Sequence, residues 1–192
     1  MISQEKVANY YQHLTPSYFS YASGSYGWHY GVWDSGVKSF SESLLQSNKR
    51  LVDGLDLNTN TQILDVGSGI GGFAVWVAKN FGCSVTGITL CESHIILSET
   101  LAALNQVLPQ CKFQMMDMNE MSFEDNRFDL IINQETFCYA IDKKNFLSEV
   151  HRVLKPGGYW RSADFAVQEL PLTPKENRKL KIVLDGFHIP SL

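Results

Sequence analysis

No run of lysine or arginine in this 192-residue chain exceeds two, and sixteen basic against twenty acidic side chains leave a net charge of −4. Without a basic cluster there is no electrostatic footprint for nucleic acid or an anionic membrane, so the expected partner is a small, weakly charged molecule. Long apolar runs are lacking too. None approaches the roughly 18 residues that cross a bilayer, and the opening MISQEKVANYYQHL has no basic-then-apolar layout of a secretory signal. The expected location is therefore cytoplasmic. Cysteine is sparse: Cys83, Cys91, Cys111 and Cys138 are scattered, with no C-x-x-C and no histidine at ligand spacing. That suggests neither a zinc site nor a disulfide framework, and predicts reduced, mostly buried thiols without a metal.

What is present is apolar and aromatic mass, 44% and 12% of residues, enough for one compact domain. From residue 61 onward, short β-rich runs alternate with helix-length amphipathic segments, the signature of βαβ units around a parallel sheet. Strands are predicted at 61–66, 83–88, 111–116, 128–133 and 158–165, with helices at GGFAVWVAKNF, ESHIILSETLAALNQ and KKNFLSEVHRVL. The last helix is expected to stop at Lys155-Pro156-Gly157-Gly158, followed by a turn. Another helix is predicted within 36–57, and residues 15–35, rich in glycine, serine and aromatics, read as an ordered loop or short-helix region over a site. The organisation is thus an amino-terminal helical and aromatic region over 1–60, an α/β core over 61–166 and a connector over 167–192.

The chemistry centres on ILDVGSGIGGF, residues 63–73. Glycines after a first strand let the backbone turn tightly and approach a ligand at a helix N-terminus. Counted as Gly67-x-Gly69-x-x-Gly72, the loop is a dinucleotide fingerprint; counted as Asp65-x-Gly67-x-Gly69-x-Gly71, it suits S-adenosylmethionine. A dinucleotide site usually has an acidic residue at the tip of its second strand, where this chain has Gly87-Ile88-Thr89-Leu90. Asp65 lies within the end of the first strand, where a carboxylate is costly unless it has donors or a cation to face. An ammonium and a sulfonium would supply both.

Several stretches in order carry a resemblance: ILDVGSGIGG, Asp117-Met118, FDLIINQETFCYA and FLSEVHRVLKPGGYW. The chain resembles the class I S-adenosylmethionine-dependent methyltransferases. Within them it is most similar to the sterol- and tocopherol-type small-molecule enzymes, through Tyr11-Gln-His-Leu-Thr15-Pro-Ser-Tyr18, His29-Tyr30-Gly31-Val32-Trp33-Asp34 and Val85-Thr-Gly-Ile-Thr89-Leu90. The resemblance implies a doubly wound, mostly parallel, Rossmann-like α/β fold. It also implies that Asp65, Gly67, Ser68, Gly69 and Gly71 surround the amino-acid and ribose part of S-adenosylmethionine, with Thr89 and Leu90 beside the ribose. Asp117 would accept a hydrogen bond from the adenine amino group, Met118 would pack on the ring, and Gln134 would lie at the carboxyl edge of the sheet. Where relatives commonly carry a glutamine that reaches the ribose, this chain has His94.

Two residues are candidates for the chemistry. Glu135 occupies the acidic position of the sterol-enzyme motif, where it can orient the acceptor or stabilise developing positive charge, or simply cap the next helix. His29 is the nearest candidate base. Tyr18, Tyr26, Trp28 and Trp33 are candidates for an aromatic lid over an apolar, natural-product-like acceptor, or else they pack the amino-terminal region onto the core. The sequence ends before the last two strands of a full methyltransferase sheet, which predicts an open edge at the fifth strand, covered by a second copy, a separate carboxyl-terminal partner or the connector. An enzyme yielding S-adenosylhomocysteine and a methyltransferase-fold binding or scaffold protein without turnover both fit these features.

Overall fold

The computed structural model describes residues 3–21, 27–167 and 171–190, with side chains of 18–21 excepted. Two helices, α1 (Gln4–Tyr21) and α2 (Phe40–Val52), precede β1 (Gln62–Val66). Then follow α3 (Gly72–Phe81), β2 (Ser84–Thr89), α4 (Glu92–Leu104), β3 (Cys111–Met115), β4 (Phe128–Gln134), α5 (Lys143–Val153), β5 (Leu154–Ala163) and α6 (Pro174–Phe187).

Local chemistry accounts for the helix boundaries. Ser39 Oγ accepts from the amide of Glu42 at the start of α2, and Asp142 caps α5 through the amide of Asn145. Thr173 and Glu176 form a reciprocal capping box ahead of α6, with Pro174 at its first position. Gly82 closes α3 in the left-handed region.

The five strands form one sheet in the order β3-β2-β1-β4-β5, and every pairing among the described residues is parallel. β1, β2 and β4 are buried almost throughout, as expected of strands covered by helices on both faces. Alternate residues feed two cores. Ile63, Leu130 and Ile132 join Val77, Phe73 and Leu51 on one face, whereas Leu64, Val66 and Ile131 join Phe128, Phe146 and Val150 on the other. Each such fully buried side chain contributes about 1.5–3 kcal/mol of transfer free energy. Connections run outward from β1 in both directions, so the crevice at the carboxyl ends of β1 and β4 is the topological switch point where open α/β sheets bind ligands.

Two expectations need correction. The fifth strand starts at Leu154 and ends at Ala163, so Lys155-Pro156-Gly157-Gly158 is a bulge inside it and not a turn before it. The pairing jumps from Phe128–Leu154 to Leu130–Tyr159, and Gly157 absorbs the excess at φ +80°. Helix α1 also continues through Pro16 to Tyr21, so the first part of the region read as an ordered loop or short helix is the end of a long helix.

Candidate functional site

The glycine loop turns from β1 into α3 with Gly67, Gly69 and Gly71 at φ +73°, +52° and +81°. The amides of Gly67 and Ser68 donate to the carbonyl of Ile88, which pins the loop to the end of β2. A Cβ on Gly67 would lie 2.3 Å from Thr136 Cγ2, so the loop after β4 presses directly on this position. Gly71 plays another part: it is the N-cap of α3, packed towards Ser98 and Phe113, and it does not line the cavity.

Above the loop lies a cavity of about 120 Å³. Asp65, Gly67, Ser68 and Gly69 form one wall, and Thr89, Leu90 and His94 a second. Asp117 and Met118 follow β3, Gln134 and Glu135 end β4, and Trp28 and His29 come from the amino-terminal region. The fold therefore brings most of the expected residues to one place. Trp33 is elsewhere, 60% exposed. Tyr26 lies outside the described residues, as does the side chain of Tyr18.

Asp65 is the most telling of these groups. It is buried, its Oδ2 has no hydrogen-bond partner among the described residues, and desolvation pushes its pKa up to about 7. A carboxylate in this state is costly until something brings it donors or positive charge. At the other end of the cavity, Asp117 Oδ1 accepts from the amide of Asn119 at 2.9 Å, and its Oδ2 accepts from the side-chain amide of Gln4.

His94 is buried, not on a helix surface, and its Nε2 is 3.0 Å from Thr15 Oγ1. Burial pulls its pKa down to about 4, so the ring is neutral near pH 7. Gln134 donates from Nε2 to Ser47 Oγ at 2.7 Å, fixing the β4 terminus to α2. Glu135 adopts φ +54° and accepts a 2.6 Å hydrogen bond from the amide of Tyr30. Burial, reinforced by the nearby Asp164 charge and opposed by the Tyr30 bond, pushes its pKa up to about 7. His29 donates from Nδ1 to the Tyr30 carbonyl, and its pKa is lowered by burial, so it too is neutral near pH 7.

The aromatic segment divides. Trp28 and His29 face the cavity, whereas Tyr30 and Trp33 are each 60% exposed. The segment is fixed to α2 by the Val32 amide bonded to the Ser43 carbonyl and by Asp34 bonded to Gln46 and Arg50.

The expectations missed the contribution of α1. Gln4, Val7, Ala8 and Tyr11 line the cavity from one helical face, at the i, i+3, i+4, i+7 spacing that marks such a face. Tyr139, in the short 3-10 turn Phe137–Tyr139, meets Tyr11 edge-on at 5.4 Å and donates to the Phe187 carbonyl.

Comparison with known proteins bears on this geometry. Residues 64–161 match the family model described as a methyltransferase domain, and the chain belongs to that family. It is 30% identical to the sterol 24-C-methyltransferase of Saccharomyces cerevisiae over 203 residues, covering 99% of this chain and 51% of that protein. It is 31% identical to the chloroplastic tocopherol O-methyltransferase of Arabidopsis thaliana, covering 82% of this chain and 48% of that one. The chain thus spans about half the length of these curated relatives. The geranyl diphosphate C-methyltransferase of Streptomyces coelicolor A3(2), solved with S-adenosyl-L-homocysteine, shares the fold at TM-score 0.80, 20% identity and coverage of 97% of this chain and 72% of that one. The 4+2 cyclase SpnF is similar at TM-score 0.79 and 25% identity, over 84% of this chain and 60% of that one. No helix among the described residues is long and apolar enough to cross a membrane.

Proposed function

We propose that the chain binds S-adenosylmethionine in the cavity at the β1–β4 crevice and transfers its methyl group to a small, apolar acceptor. The observation that carries this reading is Asp65, whose buried oxygen at the glycine loop has no partner among the described residues and calls for a cationic, hydrogen-bonding ligand. The residues suit that cofactor along its length. Asp65 with the amides and glycines of the loop would hold the amino-acid part, Thr89, Leu90 and His94 the ribose, and Asp117 and Met118 the adenine.

Bound S-adenosylmethionine supplies an electrophilic methyl group on a sulfonium. The chain's own part is positioning, since in-line displacement gains most from alignment and water exclusion. Trp28, Tyr11 and Tyr139 give the acceptor side an aromatic surface on which an apolar or cationic molecule can rest. Glu135, held by the Tyr30 amide, offers a carboxyl group that changes charge near neutral pH. Neutral His29 can take up a proton where the acceptor must lose one.

Calorimetric titration with S-adenosylmethionine, S-adenosylhomocysteine and NADH tests the reading. Micromolar binding of the adenosyl compounds alone supports it, and binding of NADH alone refutes it. A second reading is adenosyl-ligand binding without methyl transfer, in keeping with the likeness to a protein named as a cyclase. Cofactor binding without methyl transfer to any of a panel of sterol, prenyl and phenolic acceptors supports that alternative.

A further inference from the structure

The cavity leaves less room than ligands of this size occupy. Its 120 Å³ falls short of the roughly 300–1,000 Å³ typical of small-molecule sites. One wall is α1, which meets the segments after β2 and β3 through the contacts that follow. Gln4 donates to Asp117 Oδ2, the Cys91 thiol points to the Ala8 carbonyl at 3.3 Å, and Thr15 meets His94 at 3.0 Å. Among the described side chains of α1, only Val7 is fully buried. Over its described stretch, residues 4–17, the helix buries little apolar surface, so this part can be displaced at modest cost.

The head of α1 carries the decisive contact. The Gln4 carboxamide presents an N–H₂ group to Asp117, the same donor that an adenine amino group offers. Asp117 Oδ1 is engaged by Asn119, so Oδ2, the oxygen facing Gln4, is the one left for a ligand. Beside it Asn119 Oδ1 is buried without a hydrogen-bond partner among the described residues, a further acceptor close to the same spot. We propose that Gln4 is an internal competitor for the adenine-reading carboxylate: it holds Asp117 while α1 is closed and must leave before a 6-aminopurine can enter. Gln4 thereby sets the affinity for the cofactor from outside the nucleotide-binding motifs. The inference rests on the cofactor reading given above.

A competing donor and a contributing one differ in sign. If Gln4 competes, Gln4→Ala and the length-preserving Gln4→Met both bind S-adenosylhomocysteine more tightly than the parent chain. The expected gain is about tenfold, the size of one hydrogen bond to a charged group. The gain must vanish for the analogue whose purine carries a 6-oxo group in place of the amino group, because position 6 then holds an acceptor and cannot donate to Asp117. Calorimetry on the full 192-residue chain reads all six combinations, with circular dichroism to show that each variant is folded. Unchanged or weaker binding in both variants, or an equal gain for the 6-oxo analogue, overturns the proposal. Absence of binding by the parent and both variants would overturn the cofactor reading as well, which distinguishes the two failures.

Discussion

The amide of Tyr30 donates to the carboxylate of Glu135 at 2.6 Å, joining the aromatic amino-terminal segment to the end of β4 across 105 residues of sequence. The bond fixes a titratable group at the cavity wall, and it makes the pH behaviour of the site readable. Because the Glu135 pKa is raised to about 7, its charged form is gained as pH rises through neutrality. Where that charge assists transfer, kcat/KM climbs through pH 7. Glu135→Gln keeps an oxygen for the Tyr30 amide but cannot ionise, so its profile is expected to be flat there and roughly 10–100-fold lower at pH 8. A pH–rate series on both proteins measures this, and an unchanged inflection in the variant would remove Glu135 from the chemistry.

Asp65 sets stability against binding. Its folded pKa of about 7 lies above the ordinary carboxylate value, so the folded state holds the proton more tightly than the unfolded one. The group's contribution is therefore favourable at low pH and lost as pH rises from about 4 through 7. Asp65→Asn removes the buried charge. The free variant is expected to be more stable than the parent by about 1–3 kcal/mol at pH 8 and indistinguishable near pH 4. The same variant is expected to lose cofactor binding. Thermal melts at the two pH values, with titration calorimetry, test both halves.

His94 obeys the opposite sign. Its folded pKa of about 4 is below the ordinary histidine value, so the stability it contributes is present above about pH 6.5 and declines as pH falls towards 4. Its ring resonances are expected to show no titration between pH 5.5 and 8 by NMR. A midpoint near 6.5 would contradict the buried placement against Thr15.

Two glycines with similar backbones predict different penalties. Gly36 sits at φ +97° with nothing within 4 Å of an added Cβ, so Gly36→Ala costs only backbone strain, about 1 kcal/mol. Gly67→Ala adds a clash with Thr136 to that strain, and is expected to cost about 2–4 kcal/mol. Chemical denaturation of the pair separates conformation from close approach.

These contrasts explain what the sequence could and could not disclose. The β1, β2 and β4 strands were legible because strands covered on both faces are written as near-continuous apolar runs such as Leu130–Ile132. That Asp65, Thr89 and Asp117 would line one cavity was legible because all three lie at or just beyond strand ends, and strand ends converge by topology. Gly71 was misplaced since a motif cannot tell a glycine that lines a cavity from one that starts a helix. The bulge at Gly157 depends on the register of β5 against β4, which no local pattern encodes. The role of α1 was written in its Gln4, Val7, Ala8, Tyr11 spacing, but the partner of that face lies far along the chain. Trp33 and Trp28 look alike in sequence, and only attachment to α2 turns one outward.

The reach of those α1 contacts bears on how the molecule assembles. Gln4 meets a partner 113 residues away, Ala8 one 83 away and Thr15 one 79 away, and these partners stand on the segments that follow β2 and β3. Closing such spans is entropically unfavourable until the sheet is in place, so α1 docks after the core has formed and is the first element to leave it. In hydrogen exchange, the amides of Val7 to Tyr11 would then open together at a free energy well below that of the β1 amides. By this reasoning the site's outer wall would behave as a foldon of its own, added last to a finished sheet.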